Sequence, residues 1–480
     1  ELSTELSVPL SILFELSMRT GDLPLQWKTA NIVPLYKGGS KMSTNSFRPI
    51  SLTCLSCKMM EVLVKQAILR FCDESDIIQN FQHGFRRGRS CLSNLLTSIE
   101  AWTSALEEGF EVDVVYIDFR KAFDSVPHQR LLHKLSVLGI KGKILDWIRS
   151  FLVGRKQRVC IGEDKSDWVD VVSGVPQGSV LGPLLFILYV NDSLQELDCG
   201  KIMFADDVKL WQVIKHPSDR DALQNNLCKL QTWSERWLLD FNVQKCAVLH
   251  LRPTNYPIPQ SSRTYHLKNI QIPVASTQKD LGIWIQSNLK PSLQSVKAAN
   301  KATGVLHAIK RAFLAFDEDL FGRVYGTFVR PHLEYGIQAW RPWLAKDTAC
   351  LEKVQRRATK LVRGLKNHTY IDRLACLNLF PLHYRQQRGD LILVYKIING
   401  LEKGLRFEDM FQWHLSPHLR GHTMKLRTKM SKLNLRSEFF TQRVIQQWNN
   451  LPQSVVEATS LQMYKQRLDN YMRPLSSLQV

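Results

Sequence analysis

The sequence predicts an α+β fold, on three observations. Helical patterns alternate with short β-rich runs through the first 285 residues. The β-rich runs fall as hairpins rather than as a strict strand-helix-strand repeat. Beyond residue 288 the chain becomes mostly helical, with apolar residues at three and four spacing and Lys and Arg on the remaining face. At 480 residues, 44% hydrophobic and 22% charged, it has material for a sizeable core, which excludes a small stapled scaffold and global disorder. That length accommodates roughly two to four domains.

In chain order, helices are predicted over residues 2–19, 52–72, 90–108, 129–152, 179–197 and 218–239. Strands are predicted over 30–36, 112–118, 158–161, 168–172, 201–205, 208–213, 247–251 and 281–285. Segment 252–262, with three prolines and a Ser-Ser pair, reads as a linker or as a long loop within one domain. Further helices follow over 296–316, 320–328, 350–365 and 382–398. A run rich in His, Arg and Lys (415–432) precedes an amphipathic stretch that ends in Gln447, Trp448 and Asn449. There is no internal repeat.

The net charge is +20, but it is uneven: +3 through Ile285 and +17 after it. A near-neutral part that keeps its carboxylates, followed by a basic part, suits a catalytic module fused to one that grips a polyanion. A merely basic, soluble surface is the plainer alternative. Ten scattered cysteines imply reduced thiols in the nucleus or cytoplasm. Cys54 and Cys57 form the one C-x-x-C, without a second pair at zinc spacing, and lie in an apolar helical run. His414, His418 and His422 fall four apart, but Pro417 breaks any helix that would stack them, so they read as loop histidines. Segment 8–18 lacks the basic flank and cleavage site of a signal peptide, and no run is long and apolar enough to predict a membrane span. The first residue is Glu1 rather than Met, as in the remainder of a longer protein.

Two β runs end in carboxylates: Val114 to Phe119 carries Asp118, and Phe204-Ala-Asp-Asp207 carries Asp206 and Asp207. Placing carboxylates at buried strand ends costs several kcal/mol, on the order of ~3–5, unless a cation offsets it. Oxygen-only ligands suit Mg²⁺ or Mn²⁺ better than zinc. Two such ions can clamp an in-line phosphoryl transfer, so the reaction class suggested is nucleotidyl transfer. In isolation, an Asp-Asp after an apolar run is also common in solvated turns.

Seven segments, the pair's own two among them, follow in order: 31–39 with Phe47-Arg-Pro-Ile-Ser-Leu52, Gln82-His-Gly-Phe-Arg-Arg-Gly-Arg89, Asp118-Phe-Arg-Lys-Ala-Phe-Asp124, the Gly-rich 173–183, Phe204-Ala-Asp-Asp207, Leu239-Asp-Phe-Asn-Val-Gln-Lys245 and Lys279-Asp-Leu-Gly-Ile283. In order and spacing they resemble the reverse transcriptases of non-LTR (LINE-type) retrotransposons, the jockey-like branch most of all. The resemblance implies a right-hand polymerase: fingers and palm over 1–286 with an antiparallel palm sheet, a helical thumb over 287–366, and a basic C-terminal domain over 367–480 that contacts nucleic acid.

It also implies the roles. Asp118, Asp206 and Asp207 would be the catalytic carboxylates holding two Mg²⁺, or Mn²⁺. Lys245 would protonate the departing pyrophosphate. Lys37 and Arg48 would reach the triphosphate, Gln177 and Gly178 would line the nucleotide pocket, and Phe123 would clash with a 2′-hydroxyl and so select dNTPs. Arg86, Arg87 and Arg89 would contact the template backbone. The implied partners are an RNA template, a DNA primer or target, and dNTPs, with no membrane; the sequence does not set the oligomeric state. The nicking endonuclease common in the family is expected to be absent from this chain. The expected activity is RNA-directed DNA polymerisation; the alternative is an inert, nucleic-acid-binding remnant.

Overall fold

The computed structural model describes residues 2–252, 264–313, 315–414 and 421–476. The strands that position the site are, in order, β1 (Thr29–Tyr36), β2 (Phe47–Leu52), β3 (Glu111–Ile117), β4 (Arg155–Ile161), β5 (Asp164–Lys165), β6 (Val169–Val171), β7 (Gly200–Phe204), β8 (Asp207–Ile214) and β9 (Ala247–Leu251). One sheet has the order β2-β1-β4-β5, with β6 also on β4. The other runs Val274–Ala275, β9, β3, β8, β7, and its β9-β3-β8-β7 part is antiparallel throughout.

β3 is central, and both its faces are covered. Val112, Val114 and Tyr116 join a core with helix Cys91–Glu107 and the helices after residue 290. Val115 and Ile117 join a second core with helices Gly182–Tyr189 and Ser218–Trp237. Double burial is why the strand reads as an unbroken apolar run from Val114 to Ile117 instead of alternating. On the first face Trp102 meets Trp211 edge-on at 6.1 Å. Gly200 leaves room for that indole, since a Cβ there would lie 2.2 Å from its ring.

The elements depart from expectation where backbone or tertiary constraints intervene. Segment 129–152 is two helices, His128–Val137 and Gly142–Leu152, because Gly139 and Gly142 take φ of +98° and +60°. The helix expected over 179–197 shortens to Gly182–Tyr189. Residues 47–52 form β2, and the following helix, Leu55–Glu74, starts later than expected. Pro49 pairs with Pro34 there, and β2 tolerates it because it lies at the sheet edge. The helices expected over 296–316 and 350–365 are Ser292–Ala312 and Ala345–Thr359, and the one over 320–328 continues from Glu318–Val324 into a π-helical turn, Tyr325–Val329. Leu382–Ile398 falls where expected.

Buried apolar residues on both sides of residue 366, Leu365 and Leu382 among them, share one cluster with the sheet. Trp448 is central to it, donating through Nε1 to the Met424 carbonyl at 2.8 Å and accepting at its own carbonyl from His422 at 3.0 Å. His422 is thus a buried core histidine, bonded through Nε2 while its Nδ1 has no partner among the described residues; His418, the rest of 415–420, and the linker or loop over 253–262 lie outside the described residues. All ten cysteines are free. No helix among the described residues is long and apolar enough to cross a membrane.

One buried ion pair ties the hairpin Thr277–Asp280 and Ile283–Gln286 to the sheet. Lys209 of β8 meets Asp280 at 2.9 Å with both side chains 4% exposed, and also donates to Ser98 Oγ at 3.2 Å. Removing one partner strands a buried charge, so Lys209→Met is expected to destabilise the fold by about 3–5 kcal/mol. Lys209→Met with Asp280→Leu should recover most of that loss in urea denaturation; a double variant as unstable as the single one would contradict the pairing.

Candidate active site

A two-residue turn, Ala205 and Asp206, joins β7 to β8, with Phe204 paired to Asp207. Ala205 takes φ of +57°, which costs a non-glycine residue ~1–2 kcal/mol. The Gln-His-Gly run braces it. Gln82 Oε1 accepts from the Ala205 N–H at 3.0 Å and from the Gly84 N–H at 2.6 Å. His83 N–H donates to the Met203 carbonyl at 2.9 Å, and Met203 N–H to the Phe81 carbonyl at 2.8 Å. Gly84 comes so close that a Cβ would lie 2.3 Å from the Ala205 nitrogen.

Asp118 follows β3 directly. Continuing the register past Ile117↔Val208 sets it across from Asp207, and continuing past Tyr116↔Ala247 on the other side sets it across from Lys245. Asn242 N–H donates to the Asp118 carbonyl at 2.8 Å, and the Phe119 and Phe241 rings stack at 5.2 Å, which holds the segment before Lys245 against the strand end.

Sheet pairing therefore gathers three carboxylates, and their ionisation is coupled. Burial raises Asp118, against the pull of Lys245, Asn242 and Lys37. Burial and then Asp118 raise Asp206, with Arg48 opposing. Asp207 is solvent-accessible at the strand end, yet it is pushed up to about 7 by its partial desolvation and by Asp206, Asp280 and Asp118, against Lys209. Like charges held this way resist simultaneous ionisation unless a cation joins them. Among the described residues no group of three or more His, Cys, Asp or Glu side chains is placed to hold a metal ion. An open oxygen donor set fits an ion such as Mg²⁺, which commonly takes one or two carboxylates and leaves its other positions to water and substrate phosphates.

The first sheet supplies cations. Lys37 follows β1, Arg48 sits on β2 opposite Leu35, and both are exposed. Their charges reach the carboxylates, Lys37 lowering Asp118 and Asp124 and Arg48 lowering Asp206. Phe123 is half-buried, stacked on Phe186 at 4.2 Å and edge-on to Phe85 at 6.2 Å. Gln177 Nε2 donates to Asp124 Oδ1 at 2.8 Å, while the Gln177 carbonyl accepts from the Ser51 N–H at 2.7 Å. Gly178 takes φ of +110°, and a Cβ there would lie 2.7 Å from the Ser51 carbonyl oxygen. The Gly-rich loop is thus pinned between β2 and the short helix Ala122–Ser125 that follows β3.

Sequence reasoning missed four side chains that set this geometry: Gln82, Lys209, Asp280 and Glu61. Glu61 is fully buried and accepts from the Val180 and Leu181 N–H groups at 2.7 and 2.8 Å, fixing the loop where it enters its helix. Its signal was a lone acid within an apolar helical run. The three loop arginines diverge. Arg86 donates to the Gln79 carbonyl at 2.8 Å and Arg89 to Asn80 Oδ1 at 2.7 Å, so both brace their own loop, whereas Arg87 is exposed.

Residues 37–285 match the family described as reverse transcriptase (RNA-dependent DNA polymerase). Among curated proteins, the chain is 27% identical over 371 residues to the probable RNA-directed DNA polymerase from transposon X-element of Drosophila melanogaster, covering 74% of this chain and 40% of that protein. It is 31% identical over 248 residues to the RNA-directed DNA polymerase from mobile element jockey of the same fly, covering 50% of this chain and 27% of that one. The chain thus spans well under half the length of these relatives. Among solved structures, telomerase from Candida albicans aligns with a TM-score of 0.43 and 12% identity, covering 74% of this chain and 67% of that one.

The Asp207 shift has a sign that can be checked. Its folded-state pKa, about 7, stands above the unfolded value, so the folded chain holds an extra proton and its stability falls as pH rises from about 4 through about 7. Asp207→Asn should remove that slope. It should gain ~1 kcal/mol over the parent at about pH 8 and little at about pH 4, a small effect because the carboxylate is screened by solvent. Urea melts across this range measure it, and a variant no more stable than the parent at the upper end would contradict the coupling.

Proposed function

Since the chain belongs to the reverse transcriptase (RNA-dependent DNA polymerase) family, we propose that it extends a DNA 3′-hydroxyl along an RNA template with dNTPs, as the polymerase of a non-LTR retrotransposon. The observation that carries this is the convergence of Asp118, Asp206 and Asp207 at one sheet end, each with its pKa raised and each coupled to another of the set. Reverse transcriptases use divalent metal ions. In this reading the three carboxylates hold two Mg²⁺, or Mn²⁺, which when bound supply an activated 3′-oxygen and charge neutralisation at the leaving pyrophosphate.

The chain's own groups do the rest. Lys37 and Arg48, whose charges act on Asp118 and Asp206, orient the triphosphate from the side of the first sheet. Lys245, across from Asp118 in register, passes a proton to the leaving pyrophosphate. Phe123, backed by Phe186, forms the floor that a 2′-hydroxyl would meet. Gly178 lets backbone approach the nucleotide, and Asp124 keeps the Gln177 amide turned to that pocket. Residues 1–286 serve as fingers and palm, 287–366 as thumb, and 367–480 as a basic region along the nucleic acid.

Primer extension on an RNA template with dNTPs and Mg²⁺ tests this. The parent should form product, and Asp207→Asn should lose it while still binding the template–primer; product from both would refute the site. Phe123→Ala should raise rNTP incorporation relative to dNTP by roughly ten- to a hundredfold; an unchanged ratio would remove Phe123 from sugar selection.

A further inference from the structure

The loop that braces the catalytic turn also carries part of the C-terminal region on its back. Gly88 takes φ of +76°, and a Cβ there would lie 3.0 Å from both Cβ and Cγ of Lys403, so the stem of that lysine lies over the glycine. The segment around Lys403 is well fixed. Glu402 pairs with Lys396 at 3.2 Å, Leu405 is buried, and a Cβ on Gly404 would lie 2.5 Å from Ser93 Oγ and 3.5 Å from Arg89 Cα.

The cations of this surface are not equivalent. Arg86 and Arg89 are engaged with the loop's own Gln79 and Asn80. Arg87 and Lys403 are exposed, and among the described residues neither has a carboxylate partner. The Lys403 stem lies against Gly88, next in sequence to Arg87, so two exposed cations from segments far apart in sequence share this loop, which favours a polyanion. Gly84, at the other end of the loop, touches the Ala205 turn. Four residues span at most ~14 Å, so the Gly88 backbone beneath the Lys403 stem lies within that reach of the point where the turn is braced.

We propose that Arg87 and Lys403 together form a phosphate-binding site for the single-stranded template as it approaches the active site, one that is complete only with the C-terminal region docked on the loop. This rests on the polymerase reading. It goes beyond that reading in making a residue of the C-terminal region part of the template path beside the palm.

The test is equilibrium binding of a DNA primer annealed to a labelled RNA with a single-stranded template overhang, against a blunt duplex, at several salt concentrations. Lys403→Ala and Arg87→Ala should each weaken overhang binding by roughly three- to tenfold and reduce the log–log salt slope by about 0.7. Blunt-duplex binding and the thermal midpoint should hold, and Lys403→Arg should bind as the parent does. Parental affinity and slope in Lys403→Ala would overturn the proposal, as would an equal loss on the blunt duplex. Extension by the parent on the same substrate reports separately on the polymerase reading, so the two can fail independently.

Discussion

The constraint on which this structure depends is the gathering of three carboxylates at one end of a sheet whose central strand is buried on both faces. Strand pairing enforces it, because the registers of β3 with β8 and with β9 leave Asp118 no position except between Asp207 and Lys245. Repulsion within the set is answered locally. Lys245 and Lys37 act on Asp118, Arg48 acts on Asp206, and Lys209 acts on Asp207 while paired with Asp280. The strained Ala205 turn persists because Gln82 and the close approach of Gly84 over-determine it.

Much of this was legible in the sequence because it is local. The apolar run before Asp118 and the run before Asp206 state the two strands and their carboxylates, and the 382–398 helix follows from its periodicity alone. Other features were illegible for physical reasons. Pro49 argues against a strand unless its edge position is known. Gly139 is tolerated within a helical pattern until its positive φ is seen. Gln82, Glu61, and the Lys209–Asp280 pair act across long sequence separations, so their roles exist only once the chain is folded. Arg86 and Arg89 show the converse, since a basic run looks like one surface in sequence while the fold turns two of its members onto their own loop.

The charge excess of the second part needs the same care. Arg341 and Arg443 share buried Asp390, Arg385 meets Glu334, and Arg388 meets Asp469. Arg436 reaches Glu100 on helix Cys91–Glu107, and Glu107 accepts from the Leu433 N–H at 3.0 Å. Part of the positive charge thus fastens the C-terminal helices to one another and to the sheet, whose core they share. What matters for a polyanion is the set left free, and where it stands relative to the carboxylates.

In the proposed reading the three carboxylates form one cation-binding group. Mn²⁺ binding followed by electron paramagnetic resonance, with template–primer and a non-hydrolysable dNTP present, tests it most directly. The account predicts two ions per parent chain and loss of binding in Asp118→Asn and in Asp207→Asn. Binding that is the same in the parent and both variants would contradict it.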